Sequence, residues 1–216
     1  MMELGLKTLI AYLLGSLMGA LLVGRIRGVD IRELGSGNAG GTNALRTQGF
    51  WFAAATVVID VGKGWVAAGY LPSLEIPGIA PDPAVSRDWL AVSCAAAAVA
   101  GHVWPQFFAF RGGKGGATLV GTLLALAPVL VAIATACWLV FAMLTGFVGL
   151  ATMTAAASVP VAIQLLDLEP APLFGYSLAM ALLVAWAHRG NLARMRAGTE
   201  PHLNRLWLLR PRGQTR

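Results

Sequence analysis

The sequence predicts an all-α integral membrane protein of about seven transmembrane helices. Three observations carry that reading. Hydrophobic residues make up 57% of the 216 positions and charged residues only 12%, where a soluble domain carries about 25% charged residues. Mean hydropathy is +0.69. Apolar runs long enough to cross a bilayer recur along the whole chain.

In order, the runs are Leu4 to Val23, Phe50 to Leu71 and Trp89 to Phe110, then a long stretch from Ala117 to Leu166. Pro128 and the Thr145-Gly146 pair divide that stretch into a short span, a full span and Gly149 to Leu166. Leu173 to Ala187 completes the set. The first run lacks a basic leader and a clear cleavage site, so it reads as a retained helix.

Basic residues accumulate on the cytoplasmic side of membrane proteins. With the N-terminus outside and the C-terminus cytoplasmic, thirteen of the sixteen Lys and Arg fall on inner loops and tail. These are Arg25, Arg27, Arg32, Arg46, Arg111, Lys114 and the seven arginines from Arg189 onward. The outer loops then hold Glu75, Asp82, Asp88, Asp167 and Glu169, with Arg87 alone among basic residues. We read residues 1–216 as one transmembrane domain ending in a basic cytoplasmic tail, residues 201–216. That tail either touches anionic lipid heads or is solvated.

The stretch GSGNAGGTN, Gly35 to Asn43, matches the dinucleotide fingerprint letter for letter, and Asp60 falls twenty positions past Gly40. The fingerprint needs a preceding strand and a soluble βαβ unit. Here a short charged segment precedes it and an apolar span follows, which excludes a nucleotide-cofactor domain. Cys94 and Cys137 lie in apolar runs and read as small buried hydrophobes. No metal-ligand spacing is present, and nothing points to nucleic acid.

The polar motifs GSGNAGGTNALR, FRGGKGGAT, TGFVGLATM and HRGN all fall on the cytoplasmic face in this threading, which predicts one site there. The charge rule explains their arginines but not their glycines, asparagines and threonines. In the first motif Ser36, Asn38, Thr42, Asn43 and Arg46 are donors suited to phosphate and hydroxyl groups. In the second, Gly112, Gly113, Gly115 and Gly116 let the backbone approach an anion, Lys114 adds a charge, and Thr118 donates from the first helical turn. The segment resembles a Walker A loop but has Gly115 where Ser or Thr should follow Gly-Lys. It is either a phosphate cradle or a tight turn with an anchoring lysine.

Ionisable groups inside membranes are expensive and are functional suspects. His102 either bonds a loop carbonyl or touches substrate. Asp60 and Lys63, one turn apart, read as an intrahelical ion pair bracing the first loop, with direct catalysis by Asp60 the alternative. His188 and Asn191 share a helical face at i, i+3. No nucleophile–base set emerges, a pattern that suits phosphate-bearing reactants of which one is already activated. An anion transporter and a lipid-organising scaffold are the competing classes; no internal repeat of the transporter kind is visible.

GSGNAGGTNALR, IDVGKG, GHVWPQFFAFRGGKGGAT and HRGNLARMRAGTE resemble the signature segments of the bacterial acyl-phosphate-dependent glycerol-3-phosphate acyltransferases. The likeness spans about Gly35 to Glu200. It implies a multi-pass enzyme of the bacterial cytoplasmic membrane, a monomer without cofactor or metal, in contact with membrane lipid. It implies transfer of an acyl group from acyl phosphate to the 1-hydroxyl of glycerol 3-phosphate, with no protein base. By motif match Ser36, Arg46, Lys114, His188 and Asn191 would be catalytic. Asn38, Thr42, Asn43, His102, the loop glycines, Thr118 and Thr152 would bind substrate. The third motif departs from the family's Arg-Tyr-Val-Ser-Leu-x-Ser pattern. Gly146, Phe147 and Gly149 replace its polar groups, and only Thr152 keeps a donor.

Overall fold

The computed structural model describes residues 1–168, 171–203 and 207–209. Among the described residues all regular structure is helical. The helices are α1 (Met2–Gly15), α2 (Gly19–Arg27), α3 (Gly41–Gln48), α4 (Phe50–Trp65), α5 (Arg87–Val103), α6 (Gly116–Leu126), α7 (Pro128–Thr145), α8 (Val148–Leu165), α9 (Ala171–Ala187) and α10 (Arg189–Arg196). A π-turn, Val66–Tyr70, and a 3-10 turn, Leu71–Ser73, extend α4 to an apolar rod of 24 residues.

Helices occupy every expected apolar run, although the first is broken and α5 ends at Val103, short of the expected Phe110. Four helices are long and apolar enough to cross a membrane, or up to six when the bent pairs α1–α2 and α9–α10 each count as one span. The remaining apolar helix, α6, has 11 residues, about 16 Å at 1.5 Å per residue, against a hydrocarbon core of about 30 Å. Pro128 starts α7, and the chain turns at Gly146, whose φ of 72° is left-handed. Both divisions thus sit where a residue that cannot continue a helix requires them.

The helices form two compact units, Met1–Ala127 and Pro128–Arg216, each described by itself. In the first, α1 packs on α5, α4 on α6, and α2 and α3 on α4. Lipid supplies no hydrophobic drive between helices, so close backbone approach across small residues holds them. A Cβ at Gly15 would strike Ala98 O, and one at Gly101 would strike Tyr12 O. Gly64 against Thr118 O and Gly121 against Val61 O do the same for α4 and α6.

The first run was expected as one helix from Leu4 to Val23; the structure corrects this. It breaks between Gly15 and Gly19 with a bend of 42°. No proline causes the break. Instead α4 supplies partners for the freed backbone. Lys63 Nζ donates to Leu17 O at 2.9 Å, and Gly19 N–H donates to Asp60 Oδ1 at 3.1 Å. The two side chains pair with each other at 2.9 Å and are buried, Asp60 1% and Lys63 5% exposed. Unsatisfied backbone groups cost several kcal/mol in lipid, so the pair and the break stabilise each other. Ser16 Oγ, inside the break, also accepts from Gln106 N–H at 3.2 Å.

At the opposite end of α1, buried Glu3 accepts from Lys7 at 2.8 Å and from both Arg87 guanidinium nitrogens at 2.7 Å. Lys7 Nζ also reaches Pro72 O at 2.7 Å. This cluster ties the start of α5 and the end of the α4 rod to α1.

In the second unit α8 lies between α7 and α9, and α10 returns against α8 and α9 after a 47° bend. Described tail residues fold back on the α7–α8 turn. Leu203 N–H donates to Gly146 O at 2.7 Å, and His202 stacks on Trp207 at 4.2 Å and on Phe147 at 4.3 Å. Glu169 and the tail arginines Arg205, Arg210, Arg212 and Arg216 lie outside the described residues.

Two outcomes follow for stability in detergent micelles. Lys63→Met leaves the Asp60 carboxylate buried beside an unsatisfied Leu17 carbonyl, so chemical unfolding should show a loss of about 3–5 kcal/mol. Gly101→Leu forces α1 away from α5 and should cost about 1–3 kcal/mol in the same measurement.

Candidate active site

After α2 the chain turns at Gly28, φ 66°, and reaches the first loop through an ion pair. Asp30 accepts from the Arg32 amide at 2.9 Å and from its guanidinium at 2.6 Å. Arg32 Nη1 in turn donates to Phe108 O at 3.2 Å and Arg111 O at 3.4 Å. One arginine therefore ties the first loop to the second. The guanidinium beside Asp30 holds its carboxyl below the ordinary carboxylate range.

Asn43 builds the first loop. Only 2% exposed, it donates through Nδ2 to Ile31 O at 3.1 Å and Leu34 O at 3.0 Å, and its Oδ1 accepts the Ser36 N–H at 3.0 Å. Its amide, expected to meet substrate, holds the turn that presents Ser36. Ser36, Thr42 and Arg46 are exposed and Asn38 is half-buried. Thr42 lies in the first turn of α3 and Arg46, four residues on, in its last turn, so the two share one face of the helix.

The second loop begins where α5 ends at Val103. Left-handed backbone at Ala109 and Phe110, φ 55° and 57°, turns it back. Gly113 N–H then donates to His102 O at 3.1 Å. A Cβ at Gly112 would strike His102 O, and one at Gly113 would strike His102 Nε2 and approach Ala39 O to 3.1 Å. These glycines are therefore required by packing inside the protein, and Gly113 is where the second loop meets the first. Gly115, φ 82°, and Gly116 then start α6. Lys114 is half-buried. Thr118 is fully buried, its hydroxyl without a hydrogen-bond partner among the described residues.

His102 is buried, with Nδ1 3.5 Å from Asp60 Oδ1, longer than a good hydrogen bond. Asp60 thus gathers the break in the first span, Lys63 and His102. The brace expected on the first loop acts instead at residues 17–19, because those backbone groups lie nearer to α4.

In the second unit His188, 6% exposed, contacts Val184 O through Nδ1 at 2.8 Å. A carbonyl partner assigns the proton to Nδ1 and acceptor character to Nε2. Asn191 Nδ2 donates to Glu200 Oε1 at 2.6 Å, and Arg194 Nε donates to Glu200 Oε2 at 2.7 Å. Glu200 carries no role in the sequence reading, yet it is 5% exposed and fixes which way the Asn191 amide points. A signal was available. Gly198 after α10, φ 68°, with Thr199 N–H bonded to Arg194 O at 2.9 Å, is a helix-ending turn that sends the next residue back.

Gly149 has a packing reason too, since a Cβ there would lie 2.8 Å from Asn191 Nδ2. Thr152 Oγ1 donates to Val148 O at 2.8 Å and accepts from Trp138 Nε1 at 3.2 Å. Its hydroxyl is engaged within the unit. The motifs thus meet in pairs, the first with the second in one unit and the third with the fourth in the other.

The Asp30–Arg32 link makes a pH-dependent prediction. A carboxyl whose folded pKa is depressed contributes fully above its unfolded value, about 4, and loses the contribution as pH falls through the folded value. The melting difference between the unaltered chain and Asp30→Asn should be constant above about pH 5 and shrink below about pH 4.

Comparison with known proteins bears on the family and the fold. The family model described as glycerol-3-phosphate acyltransferase matches residues 6–198. A glycerol-3-phosphate acyltransferase of Geobacter metallireducens is 42% identical over 193 residues, covering 88% of this chain and 92% of the relative. One from Rubrobacter xylanophilus is 40% identical over 195 residues, covering 90% and 92%. Among solved structures, the glycerol 3-phosphate form of PlsY (YgiH), an integral membrane glycerol 3-phosphate acyltransferase, matches with TM-score 0.79 and 27% identity, covering 92% of this chain and 94% of that one. Matched by the family model over residues 6–198 and 42% identical to a relative over 88% of its length, this chain belongs to the glycerol-3-phosphate acyltransferase family.

Proposed function

We propose that this protein transfers a fatty acyl group from acyl phosphate to the 1-hydroxyl of sn-glycerol 3-phosphate, giving lysophosphatidic acid and inorganic phosphate. The relatives named above support the acceptor, and PlsY is also known in a lysophosphatidic acid form. The single observation that carries the reading is the junction of the first two loops at Ala39 and Gly113, with Lys114 next in sequence. It presents a cation and helix-initial backbone where two polar loops meet.

Lys114 and the backbone of Gly112, Gly115 and Gly116 hold the donor phosphate, the Gly113 N–H being committed to His102 O, with Thr118 in the first turn of α6. Arg46, Ser36, Asn38 and Thr42 hold glycerol phosphate, and Asn43 shapes their loop. By motif match His188 and Asn191 are the further residues we assign to the reaction. The acceptor hydroxyl oxygen attacks the acyl carbon, and the bond from that carbon to the phosphate oxygen breaks. The hydroxyl proton leaves on the departing phosphate. An acyl phosphate is an activated anhydride, so no protein base is needed. Positioning two bound reactants contributes roughly 7–11 kcal/mol to lowering the barrier, and each donor facing developing charge roughly 3–4 kcal/mol.

The enzyme works as a monomer without cofactor, with seven spans in the bacterial cytoplasmic membrane. Its N-terminus is outside, and its site and C-terminus face the cytoplasm, as the distribution of arginine and lysine favours. A broken first span is also a transporter device. Here the freed groups of Leu17 and Gly19 are taken by Lys63 and Asp60, which leaves that break no ligand to bind.

The test is conversion of palmitoyl phosphate and labelled glycerol 3-phosphate by the purified protein, scored as a lipid product. Lys114→Ala should cut turnover at least 100-fold while inserting and purifying normally. Near-normal turnover in that variant refutes the assignment of Lys114.

A further inference from the structure

We propose that His102 is a positioning residue that never touches substrate, acting as the prop on which the Gly112–Lys114 turn rests. The proposal rests on the acyltransferase reading and assigns a role within its site. One edge of the ring faces Asp60, with Nδ1 3.5 Å from Oδ1, while the other edge, Nε2, stands where a Cβ on Gly113 would be. The same residue's carbonyl accepts the Gly113 N–H at 3.1 Å. His102 therefore fixes the residue before Lys114 twice, once through backbone and once through its ring. At 3% exposure the ring is walled in by protein.

The ring also links two features that are far apart in sequence. Asp60 is committed to the break in the first span through Gly19 and to Lys63. The position of the second loop is thereby referred, through one imidazole, to the buried ion pair of α4. A ring displaced from Asp60 leaves Gly113 free to relax into the vacated space. Lys114 then moves off the donor phosphate, and proximity catalysis loses steeply with displacement of about 1 Å.

Two amides separate the edges of the ring. Glutamine at 102 places its amide near the Nε2 position and keeps the prop. Asparagine places it near Nδ1, keeping the contact with Asp60 but leaving Gly113 unsupported. We therefore expect His102→Ala and His102→Asn to lose kcat/KM for palmitoyl phosphate at least 10-fold, and His102→Gln to stay within threefold of the unaltered enzyme. Gly113→Ala alone pushes a methyl into the ring, so the double variant His102→Ala/Gly113→Ala should be no worse than the poorer single variant. Thermal midpoints of all five variants, Gly113→Ala alone included, measured in the same micelles, separate lost folding from lost positioning.

Glutamine no better than asparagine, or a double variant whose losses multiply, overturns the prop. Absence of lipid product from the unaltered chain refutes the acyltransferase reading itself, and the inference with it. Product from the unaltered chain with the wrong variant order sinks the inference alone.

Discussion

The buried pair of Asp60 and Lys63 is the constraint on which the first unit depends. Two opposite charges one turn apart in an apolar helix are costly to bury, and their mutual attraction alone seldom repays that cost. Here each charge does a second task. Lys63 donates to the carbonyl of Leu17, and Asp60 accepts from the amide of Gly19, so the pair stands in for the helical bonds that the first span gives up at its break. An interrupted helix inside a membrane needs such partners. The break in turn gives the ions the polar surroundings they would lack in lipid.

From that point the order of the site can be followed outward. Asp60 faces His102 at the C-terminal end of α5, and His102 O accepts the Gly113 N–H. Gly113 touches Ala39 of the first loop, and Arg32 clamps the two loops together through Phe108 and Arg111. Asn43 turns inward to hold the first loop's own carbonyls, so that Ser36 stands on a bound amide. In the second unit a buried carboxylate, Glu200, sets the orientation of the Asn191 amide through a hydrogen bond of 2.6 Å. In each unit, then, a buried acidic group is engaged with other polar groups of the motifs.

Much of this was legible in the sequence. Apolar runs gave the helices, and Pro128 and Thr145-Gly146 marked boundaries because each carries a local steric or conformational limit. The spacing of Asp60 and Lys63 announced their pairing. The break at Gly15 to Gly19 was hidden, since nothing local forces it; it exists because α4 offers partners there. The internal work of Asn43 was hidden for the same reason, a polar side chain reading alike whether it holds its own loop or a ligand. The glycines of the second loop were read as room for an anion, whereas the structure shows that two of them first make room for His102. Glu200 escaped notice because a single acid in an arginine-rich run looks like a solvated charge.

Residues 16 to 19 can be read directly by amide hydrogen exchange. The unaltered protein and an Asp60→Ala variant, both in the same micelles, would be compared for the peptide spanning the break. The account predicts that the Gly19 amide is protected in the unaltered protein and exchanges at least ten times faster in the variant, with Leu17 and Met18 loosened alongside it. Equal exchange in both proteins would show that the break is held by something other than the buried pair, and would contradict the account.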